Sequence, residues 1–150
     1  MSGAVTRTAA GLHAVTIAEW ILAYMLSHAK RLPRAFQQQQ AARWTRWAPG
    51  VLRGRTVGIV GLGAIGRETA RVCDALGMRV LATKRSARDG DTAPHCDRLY
   101  SSDRLLDLLA ASDYVVLAFP LTAETRGLIG PAEFNAMKPG AALINIARGE

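Results

Sequence analysis

Cysteine is nearly absent from this sequence. Cys73 and Cys96 are the only two in 150 residues, and neither their number nor their spacing makes a disulfide framework or a set of metal ligands. Histidine is as sparse, at three, and His95-Cys96-Asp97 lacks the second ligand cluster that a zinc site needs. No metal is expected. Long hydrophobic runs are missing as well. The longest candidate, Ile17 to Leu26, is interrupted by Glu19 and falls short of the roughly 18 apolar residues that cross a bilayer. Arg7 ahead of an apolar stretch ending near Ser27-His28-Ala29 has the outline of an export signal, but Glu19, His13 and Thr16 dilute its hydrophobic part. The expected location is cytoplasmic, with no membrane partner.

Acidic residues are scarce in one region only. Before residue 61, eight basic residues (Arg7, Lys30, Arg31, Arg34, Arg43, Arg46, Arg53, Arg55) stand against Glu19 alone, so the whole net charge of +7 lies there. The remainder carries eleven residues of each sign. A basic arm can bind polyanions, and it can equally meet an acidic partner domain; nucleic acid is not the expected partner. What is present otherwise is an ordinary globular mixture, 49% apolar and 21% charged, in a chain long enough for one domain with a real core.

Two rhythms divide the chain. Up to about residue 50, apolar residues recur at three and four positions (Ile17, Ile21, Leu22, Met25, Leu26, Ala29), which predicts a helix over 16–30. Thr16 is the expected N-cap with Glu19 completing a capping box, and Pro33 marks the end. The glutamines at 37–40 form an exposed helical or connecting stretch. Trp44, Trp47, Pro49 and Gly50 read as a loop whose tryptophans cover part of the core.

From residue 51 strands alternate with helices. Expected strands are 56–60, 79–83, 98–100, 114–119 and 141–146. Expected helices are 64–76, one capped by Ser102 through Leu109, and a short one from Pro131 through Met137. Gly77 is placed for a left-handed helix end. In the helix at 64–76 the inward face is Ile65, Ala70, Val72, Cys73 and Leu76. Such alternation predicts an α/β fold, a Rossmann-type doubly wound parallel sheet covered on both sides.

The strongest local signal is Gly61-Leu62-Gly63-Ala64-Ile65-Gly66, between a strand and a helix. Gly61 permits the tight turn, Gly63 lets backbone approach a pyrophosphate, and Gly66 lets helix and strand pack closely. The helix N-terminus favours the anion. An NAD site would place a carboxylate about 20 residues on, to hold the ribose 2′-hydroxyl. Here the second strand ends Thr83-Lys84-Arg85-Ser86, with no carboxylate before Asp89. Two cations and a hydroxyl suit a 2′-phosphate, so the cofactor is NADP or NAD, with NADP favoured. The plain alternative is a solvated pair of loop cations.

In AEWILAYML (18–26), LRGRTVGIVGLGAIGRETA (52–70), LGMRVLATKRS (76–86), LLDLLAASDYVVLAFPLTAETRGLI (105–129) and MKPGAALINIARGE (137–150), the chain resembles the nucleotide-binding domain of the D-isomer-specific 2-hydroxyacid dehydrogenases. The resemblance implies that Ala64 and Ile65 present backbone to the cofactor phosphates and that Lys84, Arg85 and Ser86 face the adenosine ribose. It also implies that Phe119 and Pro120 line the cofactor cleft, that Thr125 holds their loop, and that Ile146 and Ala147 lie near the nicotinamide. Arg148 matches the family's catalytic arginine, which grips the carboxylate and carbonyl oxygen of a 2-oxo acid. A guanidinium fork at a strand's carboxyl end suits that role; a plain surface arginine is the alternative.

The family builds a substrate domain from sequence on both sides of this region. Residues 1–50 are accordingly an N-terminal arm, an interdomain-type helix and a Trp-containing loop. Residues 51–150 are a nucleotide-binding domain incomplete at its C-terminal end. The substrate domain and the family's catalytic glutamate and histidine are absent, which suggests a fragment. The expected function is therefore that domain of an NAD(P)-dependent oxidoreductase reducing a 2-oxo acid to a D-2-hydroxy acid, with the isolated chain slow or inactive. The alternative is a non-catalytic, corepressor-like dinucleotide-binding module or an inactive truncated product. Expected partners are the small 2-oxo or 2-hydroxy acid and a second copy in a homodimer.

Overall fold

The computed structural model describes residues 13–88 and 91–148. Arg7, with the rest of the arm before residue 13, and Asp89 lie outside the described residues. Two helices come first, α1 (Ala14–Lys30) and α2 (Leu32–Gln40). Then follow β1 (Thr56–Val60), α3 (Ala64–Ala75), β2 (Arg79–Thr83), β3 (Arg98–Tyr100), α4 (Leu105–Ala111), β4 (Tyr114–Leu117), α5 (Pro131–Ala136) and β5 (Ala142–Asn145).

The strands form one parallel sheet in the order β3-β2-β1-β4-β5. This is the doubly wound arrangement: the chain works outward from β1 to one edge, returns to β4 and continues to the other. A crevice follows at the carboxyl ends of β1 and β4, where the order reverses. Alternation along each strand sends side chains to opposite faces. Val57 and Ile59 of β1, Val80 and Ala82 of β2, and Val116 of β4 pack with Ile21 and Met25 of α1 and Ala70 and Cys73 of α3. Val60, Leu81, Val115 and Leu117 pack on the other face with Leu105, Leu108 and Leu109 of α4. β1 and β4 are therefore buried along their whole length, each large side chain contributing about 1.5–3 kcal/mol. Edge strand β5 is only half-buried.

The α1 stripe is Ala14, Ala18, Ile21, Met25 and Ala29, so the period predicted for this helix is the one that packs. Its start differs. The helix begins at Ala14 with His13 at the N-cap, which leaves Thr16 and Glu19 inside it and the expected capping box unformed. Ala14 and Ala18 are buried, and that burial extends the helix past a local cap preference. Pro33 does not lead into a loop. Arg31 turns the chain in a left-handed conformation (φ 54°) and Pro33 sits in the first turn of α2, where its missing N–H costs nothing. Gln37 to Gln40 are helical.

The tryptophans do not cover the core. Trp44 is 92% exposed, and Trp47 is taken up by the Arg34 guanidinium 5.2 Å above its ring. Leu76, expected on the inner face of α3, is 38% exposed because the helix ends one residue earlier, at Ala75. Gly77 has the left-handed φ expected there, 71°. Ser102 is not a cap either: it opens a 3-10 turn, Ser102–Arg104, that runs into α4. β4 ends at Leu117 and β5 spans four residues, both shorter than expected.

Candidate functional site

The turn after β1 carries two glycines demanded by the protein's own packing and one that is not. Gly61 has φ 100°, and a Cβ there would meet the Ala118 carbonyl oxygen at 2.9 Å. At Gly66 a Cβ would fall closer than 3.0 Å to the Gly61 carbonyl oxygen, with Ile59 Cγ2 at 3.3 Å. Gly63 differs: its φ is −78°, open to any residue, and nothing lies within 4 Å of its would-be Cβ. Gly63 is the N-cap of α3 with no side-chain cap, and no acidic residue stands in the first turn. The leading amides of α3, at Ala64, Ile65 and Gly66, have no intrahelical acceptor. An open cradle, uncapped amides and the positive helix end fit a pyrophosphate.

Tertiary bonds brace the turn. Gly61 N–H donates to Thr83 Oγ1 at 3.2 Å, tying the ends of β1 and β2 together, and Arg67 Nη1 donates to the Leu62 carbonyl at 3.1 Å. Neither contact was legible in the sequence. Thr83, which the sequence marks only as the end of the second strand, is 5% exposed and serves the turn.

A cleft of about 500 Å³ opens beside the turn, lined by Ile65, Ala118, Phe119, Pro120, Leu121, Ile146, Ala147 and Arg148. Six of the expected site residues thus meet on one surface: Ile65 from α3, Phe119 and Pro120 after β4, and Ile146, Ala147 and Arg148 after β5. Parallel pairing brings them together, since Ala118 N–H donates to Val60 O and Ile146 N–H to Leu117 O. Thr125 is outside the lining but holds it. Its hydroxyl accepts from Thr122 N–H at 2.7 Å and donates to the Pro120 carbonyl at 2.8 Å. After β5, Asn145 Oδ1 accepts from Ala147 N–H at 2.9 Å, a positioning contact the sequence did not announce. Ala118 and Leu121 were also missed.

Lys84, Arg85 and Ser86 do not line this cleft. They are exposed in the turn after β2, closed by Ala87 N–H on the Lys84 carbonyl. Asp91, the next described carboxylate, caps the Arg88 N–H at 2.9 Å. Across the crevice Glu124 accepts from Thr122 Oγ1 at 2.7 Å. That bond first, with the positive charge of Arg85 as a lesser cause, holds its carboxyl below the usual range.

None of the three histidines lines the cleft. His13 caps α1. His28 Nδ1 lies 3.4 Å from Tyr114 Oη at the amino ends of the strands, and His95 Nδ1 lies 2.7 Å from Asp74 Oδ2. Burial pushes the Cys73 thiol up to about 12. Burial, then Asp97 and Asp74, push Cys96 up to about 11. Both stay protonated and poorly nucleophilic at neutral pH. No metal-binding group of three or more ligands occurs among the described residues, and no described helix is long and apolar enough to cross a membrane.

Residues 22–150 match the sequence model of the D-isomer specific 2-hydroxyacid dehydrogenase NAD binding domain. Over 149 residues the chain is 38% identical to D-3-phosphoglycerate dehydrogenase of Archaeoglobus fulgidus, covering 98% of this chain and 28% of that protein. Over 141 residues it is 38% identical to human glyoxylate reductase/hydroxypyruvate reductase, covering 90% and 42%. The chain thus spans less than half the length of these relatives. Among solved structures, a D-isomer specific 2-hydroxyacid dehydrogenase from Xanthobacter autotrophicus, crystallised with NADPH and MES, superposes with a TM-score of 0.83 at 30% identity, over 97% of this chain and 59% of that one.

Proposed function

Because the chain belongs to the D-isomer-specific 2-hydroxyacid dehydrogenase family, as its NAD-binding domain, we propose that it serves an oxidoreductase that reduces a 2-oxo acid to a D-2-hydroxy acid, with NADP preferred to NAD. The carrying observation is Arg148. It follows β5 into the same cleft as Ile65, Phe119, Pro120 and Ile146, so an exposed guanidinium faces the surface where a nicotinamide would rest. When bound, the dinucleotide supplies the hydride. The turn and the leading amides of α3 hold the pyrophosphate, while the apolar walls of the cleft exclude water. Arg148 orients the substrate carboxylate and carbonyl through its fork. No histidine of the described residues reaches the cleft, so the chain alone is expected to bind cofactor without turning over substrate. The binding-only alternative is not favoured, since the relatives are named as a dehydrogenase and a reductase.

The NADP preference rests on Lys84, Arg85 and Ser86, exposed with no described carboxylate bonded to either cation. The Xanthobacter relative's complex with NADPH is in keeping with it. The same proposal includes a cytoplasmic location, matched by free thiols at Cys73 and Cys96, and a homodimer. Trp20 and Tyr24, 59% and 58% exposed, stand 6.0 Å apart on the outer face of α1 as an apolar surface for a second copy.

A calorimetric titration of the chain with NADPH and NADH tests the reading. Saturable binding with NADPH tighter is expected, and Lys84→Asp with Arg85→Ala should lower the NADPH-to-NADH affinity ratio at least tenfold, as loss of charge-assisted bonds does. An unchanged ratio refutes the NADP preference; binding of neither nucleotide refutes the nucleotide function. Arg148→Gln should leave NADPH affinity unchanged while abolishing the effect of glyoxylate on bound-NADPH fluorescence. An equal response in both proteins would remove Arg148 from the site.

A further inference from the structure

The opposite ends of the same strands enclose a second pocket, of about 740 Å³, between the end of α1, the start of α2, the loop at 48–51 and the leading residues of β1, β4 and β5. Among the described residues its walls carry Arg31, Arg34, Arg55 and Lys138, and one carboxylate, Asp113. That carboxylate is shared. Its Oδ1 lies 3.2 Å from Lys138 Nζ and 3.8 Å from Arg55 Nη1, while its Oδ2 accepts from Thr56 N–H at 2.8 Å. Arg34 rests on the Trp47 ring at 5.2 Å, which leaves its charge unneutralised. Arg31, exposed at the left-handed junction of α1 and α2, has no ion pair among the described residues.

The carbonyls at the end of α1 are hydrogen-bonded to backbone N–H groups rather than to these four side chains. Arg31 N–H bonds the Ser27 and His28 carbonyls, Gly50 N–H bonds Ala29 O at 2.8 Å, and Lys30 Nζ bonds Gly50 O at 2.8 Å. Four permanent cations around one carboxylate repel each other in a concave space where field lines concentrate. A ligand that relieves this must carry more than one negative charge and accept several guanidinium hydrogen bonds, which is the chemistry of phosphate.

We propose that this pocket is an anion site for a small phosphate monoester, distinct from the dinucleotide cleft. β5 separates the two sites. Lys138 to Ala141 precede it in the pocket, and Ile146 to Arg148 follow it in the cleft. Its four residues span roughly 13 Å at about 3.3 Å each. The volume exceeds what a phosphate group fills, leaving room for a short organic portion against the proline, alanine and glycine backbone at 48–50 and 139–141.

The experiment is calorimetry of the 150-residue chain with inorganic phosphate and with glycerol 3-phosphate, against chloride at equal ionic strength. Arg31→Asn, which tolerates the left-handed backbone, combined with Arg34→Gln should weaken both ligands at least tenfold. Lys84→Asp with Arg85→Ala should change them less than twofold, because at that exposed turn a lone phosphate lacks the rest of the dinucleotide that would hold it there. Circular dichroism of both double variants checks that each is folded. Heat no greater than with chloride overturns the proposal. So does loss only in the Lys84/Arg85 variant, which would place phosphate at the cofactor turn, or equal loss in both, which would mean diffuse charge screening. The site does not depend on the dehydrogenase reading, because the cofactor test reads NADPH and NADH rather than phosphate.

Discussion

The three glycines of the turn should separate into two kinds when each is given a methyl group. At Gly63 the backbone conformation suits alanine and nothing lies within 4 Å of the added atom. Alanine is a poorer N-cap than glycine, by a fraction of a kcal/mol, but it restricts the unfolded chain by about 0.4–1 kcal/mol. The two nearly cancel, so Gly63→Ala should leave the melting temperature within about 2 °C of the parent. Dinucleotide affinity should nevertheless fall at least tenfold, because the methyl group occupies the space through which backbone approaches a pyrophosphate. Gly66→Ala should do the reverse in origin. Its Cβ would sit closer than 3.0 Å to the Gly61 carbonyl oxygen, a backbone atom that cannot rotate aside. Overpacking costs about 1–3 kcal/mol, offset by up to about 1 kcal/mol of helix propensity. A net loss of about 1–2 kcal/mol corresponds to a fall of about 2–8 °C for a domain of this size. Thermal melts without nucleotide, followed by NADPH titration of each variant, measure both terms. If Gly63→Ala binds NADPH as tightly as the parent, the open space at Gly63 is not the cofactor's approach and the reasoning is wrong.

Asp113 should make the fold acid-sensitive. Burial raises its carboxyl's pKa, but the Thr56 N–H, Lys138 and Arg55 together outweigh burial and hold it below the ordinary value. A group depressed in the folded state stabilises fully above its unfolded pKa, near 4, and that contribution is lost as pH falls through the lower folded value. Asp113→Asn should therefore lower stability at pH 7 by about 1–2 kcal/mol and flatten the stability profile below about pH 4; an equal acid slope in both proteins refutes this. Cys73, fully buried and with its pKa pushed up to about 12, should resist a thiol reagent at pH 8 in the folded chain and react at once in denaturant. Cys96, at about 11, should react slowly. Rapid labelling of both thiols in the native protein would contradict the burial.

Local chemistry was decisive wherever a segment of a few residues carries its own instruction. The run from Thr56 to Gly66 is such a segment: β-branched residues, then three spaced glycines, then helix formers. It formed β1, the turn and α3 where the sequence placed them. The apolar spacing of Ile21, Met25 and Ala29 likewise marked the buried stripe of α1, because helical period and burial are written in the same residues. Local cues failed where distant contacts outweighed them. The Thr16 cap yielded to burial of Ala14 and Ala18, and Pro33 opened a helix because Arg31 had already turned the chain. The loop reading puts Trp44 over part of the core, yet among the described residues nothing covers it and it is 92% exposed. The cleft is a tertiary product altogether. Ile65, Phe119 and Arg148 lie far apart in the chain and meet because β1, β4 and β5 run parallel and end at one edge. Thr83 could not be recognised as the partner of Gly61 without the pairing of β1 with β2, nor could Arg31, Arg55 and Lys138 be seen to face one pocket. A sequence states what each residue prefers; which residues share a space follows from strand order and register, set by the burial of both sheet faces at once.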